Sequence, residues 1–244
     1  AWELLSDPKF NILNGTWLKL TEEMAGSNCH SFIISSEVFS LFDEEQIRKL
    51  ISFIGDCNVF VVMYLRRQDK LLQSVWSQSV KSGTDRKGFN FRNSFSEWVT
   101  SNTFTSSHGD FYSLYQRWKS FVGMQNILIH VLEKSQIQEN LFLDFLSICE
   151  IADFSGYKLL TNANVSPSGK GLVTIQKLLD KIQHPISPSM KKRLCDSIIV
   201  YDLANNSGDE KINFITEYLY NKIMNRYSDG NKKLSLECFC REEL

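Results

Sequence analysis

The sequence predicts an α/β fold in which helices cover both faces of a parallel sheet. Two nearly continuous apolar runs, at residues 59–65 and 127–132, have the length of strands. Amphipathic stretches separate them, so strand-like and helix-like segments alternate along the chain. Because the strands of a parallel sheet are buried on both faces, they read as unbroken apolar runs rather than as alternating patterns.

The first part of the chain carries clear start signals for its elements. The apolar spacing of residues 2–25 predicts one or two helices, and a short strand is expected at 31–35. Asp43 and Gln46 have the spacing of a capping box, so a helix is predicted to begin there. Its apolar stripe leads to the strand at 59–65.

The rest of the chain continues the alternation and then becomes helical. The predicted elements are, in order, a helix from Gln68, a polar loop at 82–93, helices from Ser94 and Asp110, a strand at 127–132, a helix at 140–150, a loop at 162–171, and helices at 172–183, 188–204 and 209–227. Single α/β domains routinely reach this length, so we expect one domain over residues 1–244. It would comprise an α/β core at 26–165, a helical part at 172–227 and a loosely held tail at 228–244.

The most informative feature is the abrupt end of the apolar run at Arg66 and Arg67. Ligands of open α/β sheets collect outside the carboxyl ends of strands, and a guanidinium matches phosphate oxygens bidentately. Ser74 lies about two turns into the following helix, so its hydroxyl can fold back toward Arg66. The pair could therefore clamp a phosphate. The alternative is an arginine that pairs with a carboxylate at the helix start.

The segment from Tyr64 to Gly83 resembles the 3′-phosphate-binding strand and helix of sulfotransferases that use 3′-phosphoadenosine 5′-phosphosulfate (PAPS). It is closer still to a bacterial branch of that superfamily thought to act on polysaccharides. Residues 32–37, 118–131 and 162–168 resemble other parts of that branch in the required order, and the match covers roughly residues 17–180. The resemblance implies a three-layer, P-loop NTPase-like fold, PAPS as co-substrate and a carbohydrate acceptor.

The resemblance also implies roles for individual residues. Arg66 and Ser74 would hold the 3′-phosphate of the nucleotide. Glu37, expected to end the strand at 31–35 in a Ser-Ser-Glu turn, would be the base that takes the proton of the acceptor hydroxyl. Lys170 and Gly171 would belong to a late basic loop that closes over the nucleotide. A surface helix cap for Glu37 and a plain loop around Lys170 are the alternatives.

One part of the superfamily pattern has no counterpart in the chain. The Gly-Thr-rich loop that binds the 5′-phosphosulfate does not occur before Ser31. Asn14-Gly15-Thr16 contains a Gly-Thr pair, but no apolar strand precedes it. Since the chain starts with Ala1, we expect either an omitted N-terminal segment or a divergent, inactive domain. The alternatives to a sulfotransferase are a non-catalytic binding module of glycan assembly, or a nucleotide-dependent kinase or glycosyltransferase. A kinase should retain a Gly-rich phosphate loop and many glycosyltransferases an acidic metal-binding pair, and neither motif is recognisable in this chain.

The composition of the chain limits the classes of partner that we expect it to bind. The net charge is −1 at pH 7, which gives no general reason to expect nucleic acid or an anionic membrane. No stretch reaches the ~18 apolar residues of a membrane span and no signal peptide is recognisable, so a cytoplasmic location is expected. Cys238 and Cys240 lack the spacing of a zinc knuckle, and the histidines form no ligand pattern, so no metal is expected. His130 is expected to be a satisfied strand residue.

Overall fold

The computed structural model describes residues 16–83, 90–101, 108–133, 141–151, 167–182, 184, 186–205 and 214–241. The described chain is mixed α/β, as the sequence predicts, and most of its elements are helices. Its elements are α1 (Trp17–Gly26), α2 (Glu44–Ile54), β1 (Val61–Leu65), α3 (Gln68–Ser82), α4 (Phe95–Thr100), α5 (Phe111–Val122), β2 (Ile127–Val131), α6 (Leu141–Ile148), α7 (Gly169–Lys181), α8 (Pro188–Asn205) and α9 (Glu217–Phe239), with short 3₁₀ helices at Glu37–Leu41 and Met124–Asn126.

The chain divides into two compact units. The first comprises residues 1–63 and 112–129, and the second comprises residues 64–111 and 130–244. In the described residues the sheet consists of β1 and β2, which run parallel. The backbone pairing continues beyond the strand ends, because the amide of Leu132 donates to the carbonyl of Leu65 at 2.7 Å.

In the first unit, α2 forms where its capping box predicts. Asp43 accepts from the amide of Gln46 at 2.8 Å, and the Gln46 side chain accepts from the amide of Asp43 at 3.0 Å. This satisfies two backbone donors that a helix start leaves without partners. The amphipathic stripe then buries Ile47 and Leu50.

The strand expected at 31–35 is wrong, because these residues have no strand structure. Phe32 and Ile33 are 42% and 56% exposed. A short apolar run becomes a strand only where a neighbouring strand takes up its backbone hydrogen bonds. The composition of this segment could not reveal that it has no such neighbour.

The core of the second unit forms around α3, which packs against α7, α8 and α9. Leu72, Trp76 and Val80 recur every four residues along one face of α3 and are almost fully buried. They join Ile175 of α7 and Ile223 of α9 in one apolar cluster. This packing fixes α3 and therefore fixes the turn that precedes it.

The C-terminal elements differ from the prediction. Residues 228–239, expected to form a loose tail, continue α9, and Leu234 and Ser235 are fully buried. The loop expected at 162–171 also ends early, because α7 already begins at Gly169; residues 162–166 lie outside the described residues. None of the described helices is long and apolar enough to cross a membrane.

Candidate anion-binding site

The chain contains the predicted sequence of strand, cationic turn and helix. β1 ends at Leu65 and α3 begins at Gln68, so Arg66 and Arg67 form the turn between them. Arg67 occupies the N-cap position of α3, and its side chain accepts no hydrogen bond from the amides of the first turn. The start of a helix carries a positive partial charge and exposed N–H donors, so this edge of the sheet favours anions.

Two of the three cations near this turn are neutralised by carboxylates. Arg67 binds Asp69 bidentately, with Nε–Oδ1 and Nη2–Oδ2 distances of 2.7 and 2.9 Å. The hydrogen bond to Asp69 raises the pKa of Arg67. The Lys70 ammonium lies 3.1 and 3.0 Å from the two carboxylate oxygens of Glu133, directly beyond β2.

Arg66 is the third cation, and neither of these carboxylates pairs with it. Its side chain is exposed and has no ion-pair partner within the described part of the chain. The alternative that the sequence left open, an arginine paired at the helix start, therefore describes Arg67 rather than Arg66. A guanidinium at the carboxyl end of a parallel strand is thus available to an anion from solution.

A buried amide fixes the backbone beside Arg66. Gln68 is 1% exposed, and its amide nitrogen donates to Oδ1 of Asn231 at 2.6 Å and to the carbonyl of Gly109 at 3.3 Å. The amide of Asn231 donates back to Gln68 at 3.3 Å, which ties the first residue of α3 to α9. Because this anchoring already restricts the turn, ordering the turn costs a ligand less free energy on binding.

Ser74 lies on the exposed face of α3, away from the buried residues of that helix. It follows Lys70 by four residues, so the two side chains are neighbours on the helix surface. Helical side chains incline toward the N-terminus, which directs the Ser74 hydroxyl toward Lys70 and the turn. Lys70 and Glu133 were missed from the sequence, although Glu133 follows β2 as Arg66 follows β1.

The expectation that Glu37 ends a strand is wrong. Glu37 does not end a strand; it begins the 3₁₀ helix Glu37–Leu41, which the Ser36 hydroxyl caps by accepting from the amide of Val38 at 3.2 Å. Glu37 itself is exposed and belongs to the first unit. Its surroundings match the surface-cap alternative.

Lys170 and Gly171 lie in the first turn of α7 rather than in a loop. The amide of Gly171 donates to the Ser168 hydroxyl at 3.2 Å, and this hydroxyl donates to Oδ1 of Asp202 at 2.6 Å. A Cβ added to Gly171 would lie 2.7 Å from Cγ of Asp202. Glycine is therefore needed for close packing at this helix start, and the neighbouring Lys170 is exposed.

Among the described residues, no group of three or more His, Cys, Asp or Glu side chains could hold a metal ion. Cys238 lies in the last turn of α9, and the exposed Cys240 follows the helix in a left-handed conformation with φ of 53°. The two residues thus end a helix rather than forming the strand or tail expected from the sequence.

Comparison with known proteins adds one distant relative. A protein of Archaeoglobus fulgidus, described only as uncharacterized, is 25% identical over 208 residues, which are 85% of this chain and 53% of that protein. The chain thus spans about half the length of this relative. No family model matches the chain. No solved structure matches it either.

Proposed function

We propose that the turn between β1 and α3 binds the 3′-phosphate of PAPS, and that the domain transfers sulfuryl from PAPS to a carbohydrate hydroxyl. The observation that carries this proposal is the unneutralised, exposed Arg66 at the carboxyl end of a parallel strand. The resemblance of residues 64–83 to the corresponding sulfotransferase segment supports it. We also propose that β1 and β2 belong to a P-loop NTPase-like, three-layer fold.

The physical basis is a set of donors arranged along one end of α3. Arg66 offers a planar fork of N–H groups, Ser74 offers a hydroxyl, and the helix start offers backbone amides. Lys70 lies on the same helical face as Ser74 and adds a second cation once it leaves Glu133. Hydrogen bonds to charged groups contribute about 1.5–3 kcal/mol each, so two such contacts suffice for a specific phosphate site.

A non-catalytic binding module is the second candidate. It is favoured by the position of Glu37, the expected base, in a 3₁₀ helix, and by the packing of Gly171, expected to contact the nucleotide, against Asp202. Binding of the nucleotide and transfer of sulfuryl are therefore tested separately. A kinase or glycosyltransferase receives no support from the described residues.

Calorimetry with 3′-phosphoadenosine 5′-phosphate (PAP) tests the proposal. Arg66→Ala is expected to raise the Kd for PAP by about 10- to 100-fold, the loss expected for a charge-assisted contact. The same substitution should leave the Kd for adenosine 5′-phosphate unchanged, because that nucleotide lacks the 3′-phosphate. Arg193→Ala, which removes an exposed arginine of α8, is the matched control.

Two results would contradict the assignment. A wild-type chain that does not bind PAP would remove the nucleotide from the proposal altogether. Equal losses of affinity for PAP and adenosine 5′-phosphate in Arg66→Ala would show that Arg66 does not recognise the 3′-phosphate.

Glu133→Gln should strengthen PAP binding, since it releases Lys70 from its carboxylate partner. The side chains of Lys70 and Glu133 are 39% and 27% exposed, so the competing ion pair contributes at most about 1 kcal/mol, and we expect the Kd to fall about twofold to fivefold. Asp196→Asn on α8 removes the same charge from an exposed position and should have a smaller effect. An unchanged or higher Kd in Glu133→Gln would place Lys70 outside the reach of the ligand.

A further inference from the structure

A cluster of three polar side chains lies near the C-terminal ends of β1 and β2 and plays no part in the anion site. Tyr64 of β1 and His130 of β2 are neighbours, with ring centroids 5.6 Å apart. Asp144 of α6 approaches both: its Oδ2 accepts from the Tyr64 hydroxyl at 2.6 Å and lies 3.5 Å from Nδ1 of His130.

The burial of the cluster is uneven. The side chain of Asp144 is 11% exposed, whereas that of His130 is 37% exposed. Burial and the hydrogen bond to Asp144 raise the pKa of Tyr64, so the phenol stays protonated and keeps donating to the carboxylate. Cys149 is the other titratable group near Tyr64, and burial raises the pKa of its thiol as well.

Within the described part of the chain, the contact with Asp144 involves Nδ1 of His130 rather than Nε2. The Nδ1 side of His130 faces Asp144, so a proton on Nδ1 is favoured and Nε2 keeps its lone pair. The 3.5 Å contact is longer than a hydrogen bond of about 2.9 Å, and the attraction between the two groups increases when His130 becomes an imidazolium. A buried carboxylate beside a more accessible imidazole is the arrangement that general bases use.

The strands place this cluster next to the anion site. His130 and Tyr64 are the next-to-last residues of β2 and β1, and Arg66 follows Tyr64 by two residues. The pairing of Leu132 with Leu65 carries the extended backbone to the end of β1. Arg66 is the next residue, so it lies at the same end of the sheet as Tyr64 and His130.

On the basis of the function proposed above, we propose that His130 is the general base for the acceptor hydroxyl, with Asp144 and Tyr64 as positioning residues. Nε2 of His130 takes the hydroxyl proton as the acceptor oxygen forms its bond to sulfur. The bond between sulfur and the 5′-phosphate oxygen breaks, and PAP leaves with the electron pair. His130 thereby replaces Glu37 as the base that this chemistry requires.

The test supplies the full chain with PAPS and a set of neutral and acidic oligosaccharides, and follows PAP formation by chromatography. His130→Ala is expected to lower kcat at least about 100-fold while the KM for PAPS and the calorimetric Kd for PAP stay unchanged. Free imidazole should restore part of the lost turnover. Asp144→Asn and Tyr64→Phe should lower kcat without changing KM, and Asp144→Asn should do so by at least about tenfold.

The controls separate this inference from the proposed function. His184→Ala removes an exposed histidine of the same unit and should turn over at the wild-type rate. His130→Gln, checked by circular dichroism, serves where His130→Ala does not fold. If the wild-type chain does not bind PAP, the proposed function and the base assignment both fail. If it binds PAP and sulfates an acceptor but His130→Gln keeps wild-type turnover, the base assignment alone fails. If it binds PAP but sulfates no acceptor, the base assignment and the proposed transfer both fail, and only the phosphate turn stands.

Discussion

Trp76→Ala is expected to lower the free energy of unfolding of the second unit by about 3–5 kcal/mol, the range for removing a large aromatic side chain from a core. The indole is 1% exposed. Its ring centroid lies 6.0 Å from that of Phe95 and 4.7 Å from that of Phe214. The substitution removes these contacts and leaves a cavity in the core beside the middle of α3. Urea unfolding followed by circular dichroism at 222 nm, the usual helix signal, measures the loss.

Trp76→Phe separates packing from hydrogen bonding at this position. The indole N–H donates to the carbonyl of Asn93 at 3.0 Å, but the Gln176 amide donates to the same carbonyl at 2.9 Å. The carbonyl therefore keeps a partner in the phenylalanine variant, and we expect a loss of only about 1–2 kcal/mol. Equal losses in the two variants would show that the hydrogen bond, rather than the packing of the ring, stabilises this part of the core.

Much of the fold was predictable because its start signals are local. The capping boxes at Asp43 and Ser94 lie within single turns of helix, and both form as the sequence predicts. The C-terminal extent of α9 was missed although Tyr227 and Leu234, seven residues apart, lie on one face and are buried. Between these two residues, charged side chains such as those of Lys232 and Lys233 outnumber the large apolar ones. Only tertiary packing shows that one face of the segment is covered.

The candidate site was predictable in its position but not in its pairings. The end of an apolar run in two arginines locates a cationic turn at the edge of a sheet, which the structure contains. Which arginine is neutralised depends on whether Asp69 folds back on Arg67, and which lysine is held depends on Glu133, which follows β2 and is 63 positions away from Lys70. Sequence order does not determine such contacts. The cluster of Tyr64, His130 and Asp144 was missed for the same reason.

Asp202→Ala is expected to lower the free energy of unfolding by about 2–4 kcal/mol. The carboxylate is 3% exposed. Its oxygens accept from the amide and the hydroxyl of Ser168, each at 2.6 Å. Removing the carboxylate leaves the Ser168 amide buried without this acceptor and weakens the cap of α7, and an unsatisfied buried donor costs about 1–3 kcal/mol. Chemical denaturation of the purified variant tests this value.

Gly171→Ala is the companion variant, because it disturbs the same contact without removing a charge. The added methyl group would meet Cγ of Asp202 at 2.7 Å, so the start of α7 must shift, and we expect a loss of about 1–3 kcal/mol. The two variants also decide between packing and ligand binding at this helix start. If Gly171 serves packing alone, folded Gly171→Ala binds PAP with the wild-type Kd. If it also closes over the nucleotide, as the sulfotransferase resemblance implies, PAP affinity falls in addition to the loss of stability, because the methyl group then obstructs the nucleotide as well as the protein.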